Sequence, residues 1–136
     1  MKVIIIGNQK FGESVLKNFY EETNHTVVAV LCEQDRIGKP IDPIKLYAEK
    51  YKIPFFQPKN YKDTKLLDQI KSLKPDISVM AYVISFIPKE FREIPLKGTI
   101  CFHPSLLPMH RGPSAINWPI IRGSTETGLT IFYPND

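Results

Sequence analysis

The sequence predicts an α/β domain, doubly wound around a mostly parallel sheet, and three observations predict it. Short continuous apolar runs recur at residues 3–6, 26–32, 53–56, 77–81 and 99–102. Runs of this kind suit strands buried on both faces. Amphipathic segments lie between them, and the alternation makes β-α-β units, whose right-handed crossovers build a parallel sheet.

Residues 3–6 are β-branched and stop at Gly7. Residues 11–23 follow with Val15, Leu16, Phe19 and Tyr20 on one helical stripe. Residues 26–32 form the second strand, and residues 34–43, carrying Gly38, Pro40 and Pro43, read as a loop. A helix is expected over 43–51, with Ile44, Leu46, Tyr47 and Tyr51 on or near its apolar face. A short strand, 53–56, precedes an amphipathic helix over 64–73 with Leu66, Leu67, Ile70 and Leu73 as its stripe. Pro75 breaks that helix before the strand 77–81. A short helix over 88–93 and a strand over 99–102 follow, and that strand ends at His103.

The length, 136 residues, suits one domain with a core of its own. With 43% hydrophobic and 24% charged residues, the composition argues for a globular protein and against disorder. The net charge of +4 arises from scattered side chains, which fits a solvated surface better than a nucleic-acid interface. Cys32 and Cys101 lack metal-type spacing, and no metal is expected. Cys32 ends an apolar run and reads as a buried thiol, in keeping with a reducing, cytoplasmic setting. The first apolar run is too short for a signal peptide, and no stretch approaches membrane-span length.

Ligands of doubly wound sheets sit outside the carboxyl ends of the strands. The loops after Ile6, Ala81 and Phe102 therefore matter most. The first, Gly7-Asn8-Gln9-Lys10-Phe11-Gly12, resembles a dinucleotide loop but lacks the middle glycine, with Gln9 in its place. Glu33 lies where a ribose-binding acid sits in dinucleotide folds, yet the missing glycine favours a packed strand-to-helix turn. The helix N-terminus there remains open to an anionic group.

The segment from His103 to Trp118 is unusual for a structural loop. It gathers His103, Ser105, His110, Arg111, Ser114 and Asn117 around Leu106-Leu107-Pro108. His103 stands at the ligand edge, where an imidazole is either a titrating catalyst or a hydrogen-bonded core residue. His110 reads as an exposed loop residue. Arg111 either meets a substrate carboxylate or ties the loop down. Pro113 suits the first turn of a helix beginning near Ser114, with Ala115, Ile116, Pro119 and Ile120 as packing residues. Asn117 and Trp118 read as capping and packing. Spacing alone does not identify a reaction.

The run His103-Pro104-Ser105-Leu106-Leu107-Pro108, then Arg111-Gly112, Gly123 and Thr127-Gly128 before an apolar strand at 129–132, resembles the signature of the 10-formyltetrahydrofolate-dependent formyltransferase family. Weaker similarity covers the rest of the chain. Residues 6–12, Phe86-Ile87-Pro88 and Ser114-Ala115-Ile116-Asn117-Trp118 are most similar to the hydrolase domain of 10-formyltetrahydrofolate dehydrogenases. The resemblance implies a Rossmann-like formyltransferase N-terminal domain over 1–136, with 10-formyltetrahydrofolate as formyl donor. It also implies a catalytic Asn, His and Asp around the formyl carbon. His103 matches the His, Ser105 is expected at the catalytic site with it, and Cys101 stands at the Asn position, two residues earlier. The family Asp lies in a Leu-Asp-Thr-Gly-Asp element that residues 1–136 do not contain; Asp136 matches an acid of the preceding turn. The resemblance implies that backbone groups of Ile84, Ser85, Phe86 and Ile87 bind the pterin ring, with Leu106 and Leu107 as apolar walls. Gly7, Gln9, Phe11 and Arg111 are expected toward the acceptor.

The loss of the Asn implies the hydrolase-like branch, with water as acceptor. An amine acceptor, methionyl-tRNA or a nucleotide-linked amino sugar, is the alternative, and only the tRNA case involves nucleic acid. A non-catalytic folate-binding module is a second alternative.

Overall fold

A computed structural model describes residues 1–135. Six strands form one sheet in the order β3-β2-β1-β4-β5-β6. They are β1 (Lys2–Gly7), β2 (Thr26–Leu31), β3 (Phe55–Phe56), β4 (Ile77–Ala81), β5 (Thr99–His103) and β6 (Thr130–Phe132). The first five run parallel, and β6 pairs antiparallel with β5. The doubly wound, mostly parallel sheet is as expected from sequence. The chain reverses between β2 and β1 on one side and β4 on the other, which opens the crevice of such folds beside the ends of β1 and β4.

Five helices are described: α1 (Gln9–Glu21), α2 (Pro43–Lys50), α3 (Thr64–Ser72), α4 (Lys89–Arg92) and α5 (Asn117–Ile121). Side chains alternate across a strand, so β1 feeds two cores at once. Val3 and Ile5 join Leu16, Val30, Ile44, Tyr47 and Ala48 beneath α1 and α2. Ile4 and Ile6 join Leu31, Leu66, Ile70, Met80 and Phe91 beneath α3 and α4. Each such fully buried aliphatic side chain contributes about 1.5–3 kcal/mol. None of the helices among the described residues is long and apolar enough to cross a membrane.

The helix starts follow local chemistry. Asp42 caps α2, its side chain accepting from Ile44 N, with Pro43 as the first helical residue. Asp63 caps α3 through Lys65 N and Leu66 N. Gly7 and Gly12 let α1 pack closely on the end of β1. A Cβ at Gly7 would run into the Ala81 carbonyl oxygen and lie 3.2 Å from Gly12 Cα.

The structure corrects the expected last helix. Pro113 and Ser114 precede α5 instead of starting it, and Ser114 takes a φ of 60°. Only Ala115 and Pro119 then turn inward, while Ile116 and Ile120 face out, Ile120 at 72% exposure. Tyr20 and Leu46 likewise lie outside the stripes expected to bury them.

Candidate active site

His103 is the last residue of β5 and sits at the carboxyl edge of the sheet, half-buried. Its Nε2 lies 2.9 Å from the carbonyl oxygen of His110. Cys101 is two residues earlier and so shares its strand face. Phe102 points the other way, its ring 4.6 Å from that of Phe11 at the start of α1. This contact joins the β1 loop to the His103 strand.

The loop after His103 is held by its own backbone and by β6. Ser105 N donates to His103 O at 2.9 Å, and Met109 N to Leu106 O at 3.1 Å. Thr130 Oγ1 donates to Ser105 O at 2.7 Å and accepts from Leu107 N at 3.1 Å. The Leu107–Pro108 peptide is cis. Leu106 is exposed and Leu107 half-buried. Ser105, expected beside the catalytic His, is instead fully buried, and its hydroxyl donates to Met109 O at 2.7 Å. The shape of the loop turns it inward, where it holds the turn. His110 is half-buried with a φ of 52°, and its Nδ1 is buried without a hydrogen-bond partner among the described residues. Arg111 is exposed and makes no ion pair among the described residues.

Cys101 is half-buried against the core beneath α3 and α4. Burial pushes its thiol pKa up, so the sulfur is protonated at neutral pH. Its Sγ lies 3.5 Å from Phe102 O, a weak donor's contact. Such a thiol is no thiolate nucleophile, and it offers no amide donor to an oxyanion.

The loop after β4 lies at the neighbouring strand end. Its residues alternate: Ile84 and Phe86 stand out, at 63% and 78% exposure, while Ser85 and Ile87 turn in. Ile87, expected at the ligand, is 2% exposed and packs in the core. Its carbonyl accepts from the buried Arg92 Nε at 3.0 Å, and Arg92 also donates to Pro134 O. The Ser85 hydroxyl donates to Glu33 Oε1 across the crevice. The Ser85 hydroxyl is thus held by the protein, while the residue, half-buried, still lines the larger cleft. The alternation of a short extended segment buries every second residue, a pattern that Phe86-Ile87 alone did not reveal.

Gly7 is buried and packs closely against Gly12 and the Ala81 carbonyl. Gln9 is exposed with a φ of 57°, and its N–H donates to both Asp42 carboxylate oxygens at 2.9 Å. The anion expected at the α1 N-terminus is therefore supplied by the chain's own Asp42, which sequence reading passed over because it lies 33 residues away. A cleft of about 350 Å³ opens beside Asn8, Gln9 and Ile84, and one of about 550 Å³ opens beside Lys59, Lys62 and Phe86. Glu33 lines both. Among the described residues no cluster of three His, Cys, Asp or Glu side chains is arranged to hold a metal.

The whole chain, residues 1–136, matches the family described as formyl transferase. It is 39% identical to human cytosolic 10-formyltetrahydrofolate dehydrogenase over its full length, which spans 15% of that protein. It is 36% identical to methionyl-tRNA formyltransferase of Clostridioides difficile (strain 630), again over its full length and 45% of the relative. Its fold matches phosphoribosylglycinamide formyltransferase from Anaplasma phagocytophilum with a TM-score of 0.79 at 23% identity, covering all of this chain and 65% of that one. A formyltetrahydrofolate deformylase from Pseudomonas syringae pv. tomato matches with a TM-score of 0.76 at 17% identity, covering 98% of this chain and 46% of that one.

Proposed function

This chain belongs to the formyl transferase family, and on that premise we propose that it carries the folate-handling part of a site that moves the formyl group of 10-formyltetrahydrofolate to water. The observation that carries the reading is His103. It stands half-buried at the carboxyl end of β5, before a loop pinned by Thr130, and the paired strand β4 leads into the loop that exposes Ile84 and Phe86. The 10-formyltetrahydrofolate dehydrogenase name of the human relative supports the donor.

The chemistry follows from the groups present. Water adds to the formyl carbon and gives a tetrahedral intermediate with a developing oxyanion. His103 assists the proton movements as the carbon–nitrogen bond breaks, releasing formate and tetrahydrofolate. Ile84 and Phe86 after β4, and Leu106 and Leu107 after β5, are the apolar side chains we assign to a flat heteroaromatic ring, with Ile84 lining the smaller cleft and Phe86 the larger. Phe11, Gln9 and Arg111 border the acceptor side. The family's aspartate is a partner that no residue of 1–136 supplies.

Cys101 stands where the family has an amide, so the oxyanion formed from either acceptor lacks one donor, and the choice of water rests on the resemblance to the hydrolase domain of 10-formyltetrahydrofolate dehydrogenases. Transfer to an amine is the second reading, supported by the methionyl-tRNA formyltransferase relative. The test uses the full-length parent protein with 10-formyltetrahydrofolate, with and without amine acceptors, following tetrahydrofolate appearance. Formate release without amine supports hydrolysis, and turnover only with amine replaces it by transfer. Folate binding without either makes the site a binding module and removes the catalytic role of His103.

A further inference from the structure

Asn8 is 4% exposed at the end of β1 and belongs to none of the groups invoked so far. Its amide spans two loops. Nδ2 donates to Tyr82 O at 3.0 Å, and Oδ1 accepts from Glu33 N at 2.8 Å. Its backbone N–H also donates to Ala81 O at 3.4 Å. Glu33 extends the chain of contacts: its carboxylate takes the Ser85 hydroxyl, and its carbonyl accepts from Gln57 Nε2 at 2.6 Å. One connected network therefore ties together the carboxyl ends of β1, β2, β3 and β4.

The network has a direction. An amide presents one donor side and one acceptor side, so a buried Asn8 fits a carbonyl on one hand and an N–H on the other. Tyr82, whose carbonyl it holds, has a φ of 62°, a left-handed backbone that a side-chain-bearing residue keeps only when its surroundings impose it. Three residues later the Glu33 carboxylate draws Ser85 inward. That second anchor decides the facing of the alternating segment, leaving Ile84 and Phe86 outward. It also sets the wall between the two clefts, because Ile84 lines the smaller, Ser85 and Phe86 line the larger, and Glu33 lines both.

We propose that Asn8 and Glu33 are positioning residues that clasp the loop at residues 82–87 and thereby present Ile84 and Phe86 to the folate. This rests on the folate reading above. Glu33 thus has an internal duty at the position where dinucleotide-binding folds place a ribose-binding acid.

The test is made on the full-length protein with Ser85→Ala, Glu33→Ala, their double variant, Glu33→Gln and Asn8→Asp. Amide exchange of residues 82–87 is read without ligand, and KM and kcat for 10-formyltetrahydrofolate are read separately. Loss of a charge-assisted hydrogen bond is expected to raise KM about tenfold in each alanine variant, with kcat held within about twofold. Because both variants break one contact, the double variant is expected to match either single one. Glu33→Gln, which keeps an acceptor oxygen, is expected to recover most of the affinity. Asn8→Asp removes the donor to Tyr82 and is expected to speed exchange at 82–87. Unchanged exchange in Ser85→Ala overturns the clasp, whatever folate does. Faster exchange with KM unchanged overturns the positioning role. Additive effects in the double variant overturn it too, because Ser85 would then touch the ligand independently. If the wild-type protein shows no folate binding while exchange still responds, the ligand assignment fails and the clasp is left purely structural.

Discussion

The Nε2 atom of His103 faces the carbonyl oxygen of His110 at 2.9 Å. A carbonyl only accepts, so this contact requires the proton on Nε2 and leaves Nδ1 as the basic nitrogen of the neutral ring. A residue seven positions later thus sets which side of the imidazole is left to accept a proton. The His110 carbonyl is itself placed by a backbone in the left-handed region, at a φ of 52°.

His103→Ala in the full-length protein is expected to slow formyl release by about 10²–10⁴, the usual share of a positioned acid–base group. Folate affinity is expected to stay within about twofold, since the apolar walls are untouched. Tetrahydrofolate appearance and a separate folate titration check the two halves of this expectation.

Cys101→Asn places an amide where the family pattern has one, two residues before His103 on the same strand face. One oxyanion donor is worth roughly 10²–10³ in rate. The variant is expected to speed tetrahydrofolate release with water and with amine acceptors alike, and unchanged rates with both rule out residue 101 as an oxyanion donor position.

Thr130→Val removes the hydroxyl that serves both Ser105 O and Leu107 N. The shape is kept while two backbone groups lose their partner, so the expected destabilisation is about 1–3 kcal/mol. Urea unfolding reads the stability, and a fall in kcat with little change in folate KM shows that the loop carrying His103 has lost its setting.

Arg92 sits buried on α4 and donates to Ile87 O and Pro134 O, so it joins the β4 loop to the chain leaving β6. Hydrogen bonds to charged groups are worth about 1.5–3 kcal/mol each. Arg92→Met is expected to lower unfolding stability by at least that much, and Arg92→Lys to recover part of it. Denaturant midpoints across the three proteins test the order.

Burial, then the nearby Asp42 and Asp35 charges, pushes the Cys32 thiol up to about 12 from its model-compound value of 9.0. The folded state holds this proton more tightly than the unfolded chain. Its contribution to stability is therefore full below pH 9.0 and is lost progressively as pH rises from 9.0 to about 12. Alkylation of the native protein at pH 8 is expected to leave Cys32 unmodified, and Cys32→Ala is expected to flatten the stability loss in that alkaline window.

The strand and helix order could be read locally because it depends on side-chain periodicity over short windows. The runs at 3–6 and 77–81 each show their burial in their own composition, and His103 follows the last parallel strand directly. The family signature at 103–108 likewise lies within one stretch of chain. What tertiary structure decided is how the strand ends meet. Asn8 reaches Tyr82, Glu33 reaches Ser85, Asp42 reaches Gln9 and Thr130 reaches Leu107, across separations of 23 to 74 residues. The burial of the Ser105 and Ile87 side chains was hidden for the same reason: burial depends on what packs from elsewhere, as β6 and α4 do here. A polar side chain declares its chemistry in the sequence, but its partner exists only once crossover connections bring distant strand ends to one edge of the sheet.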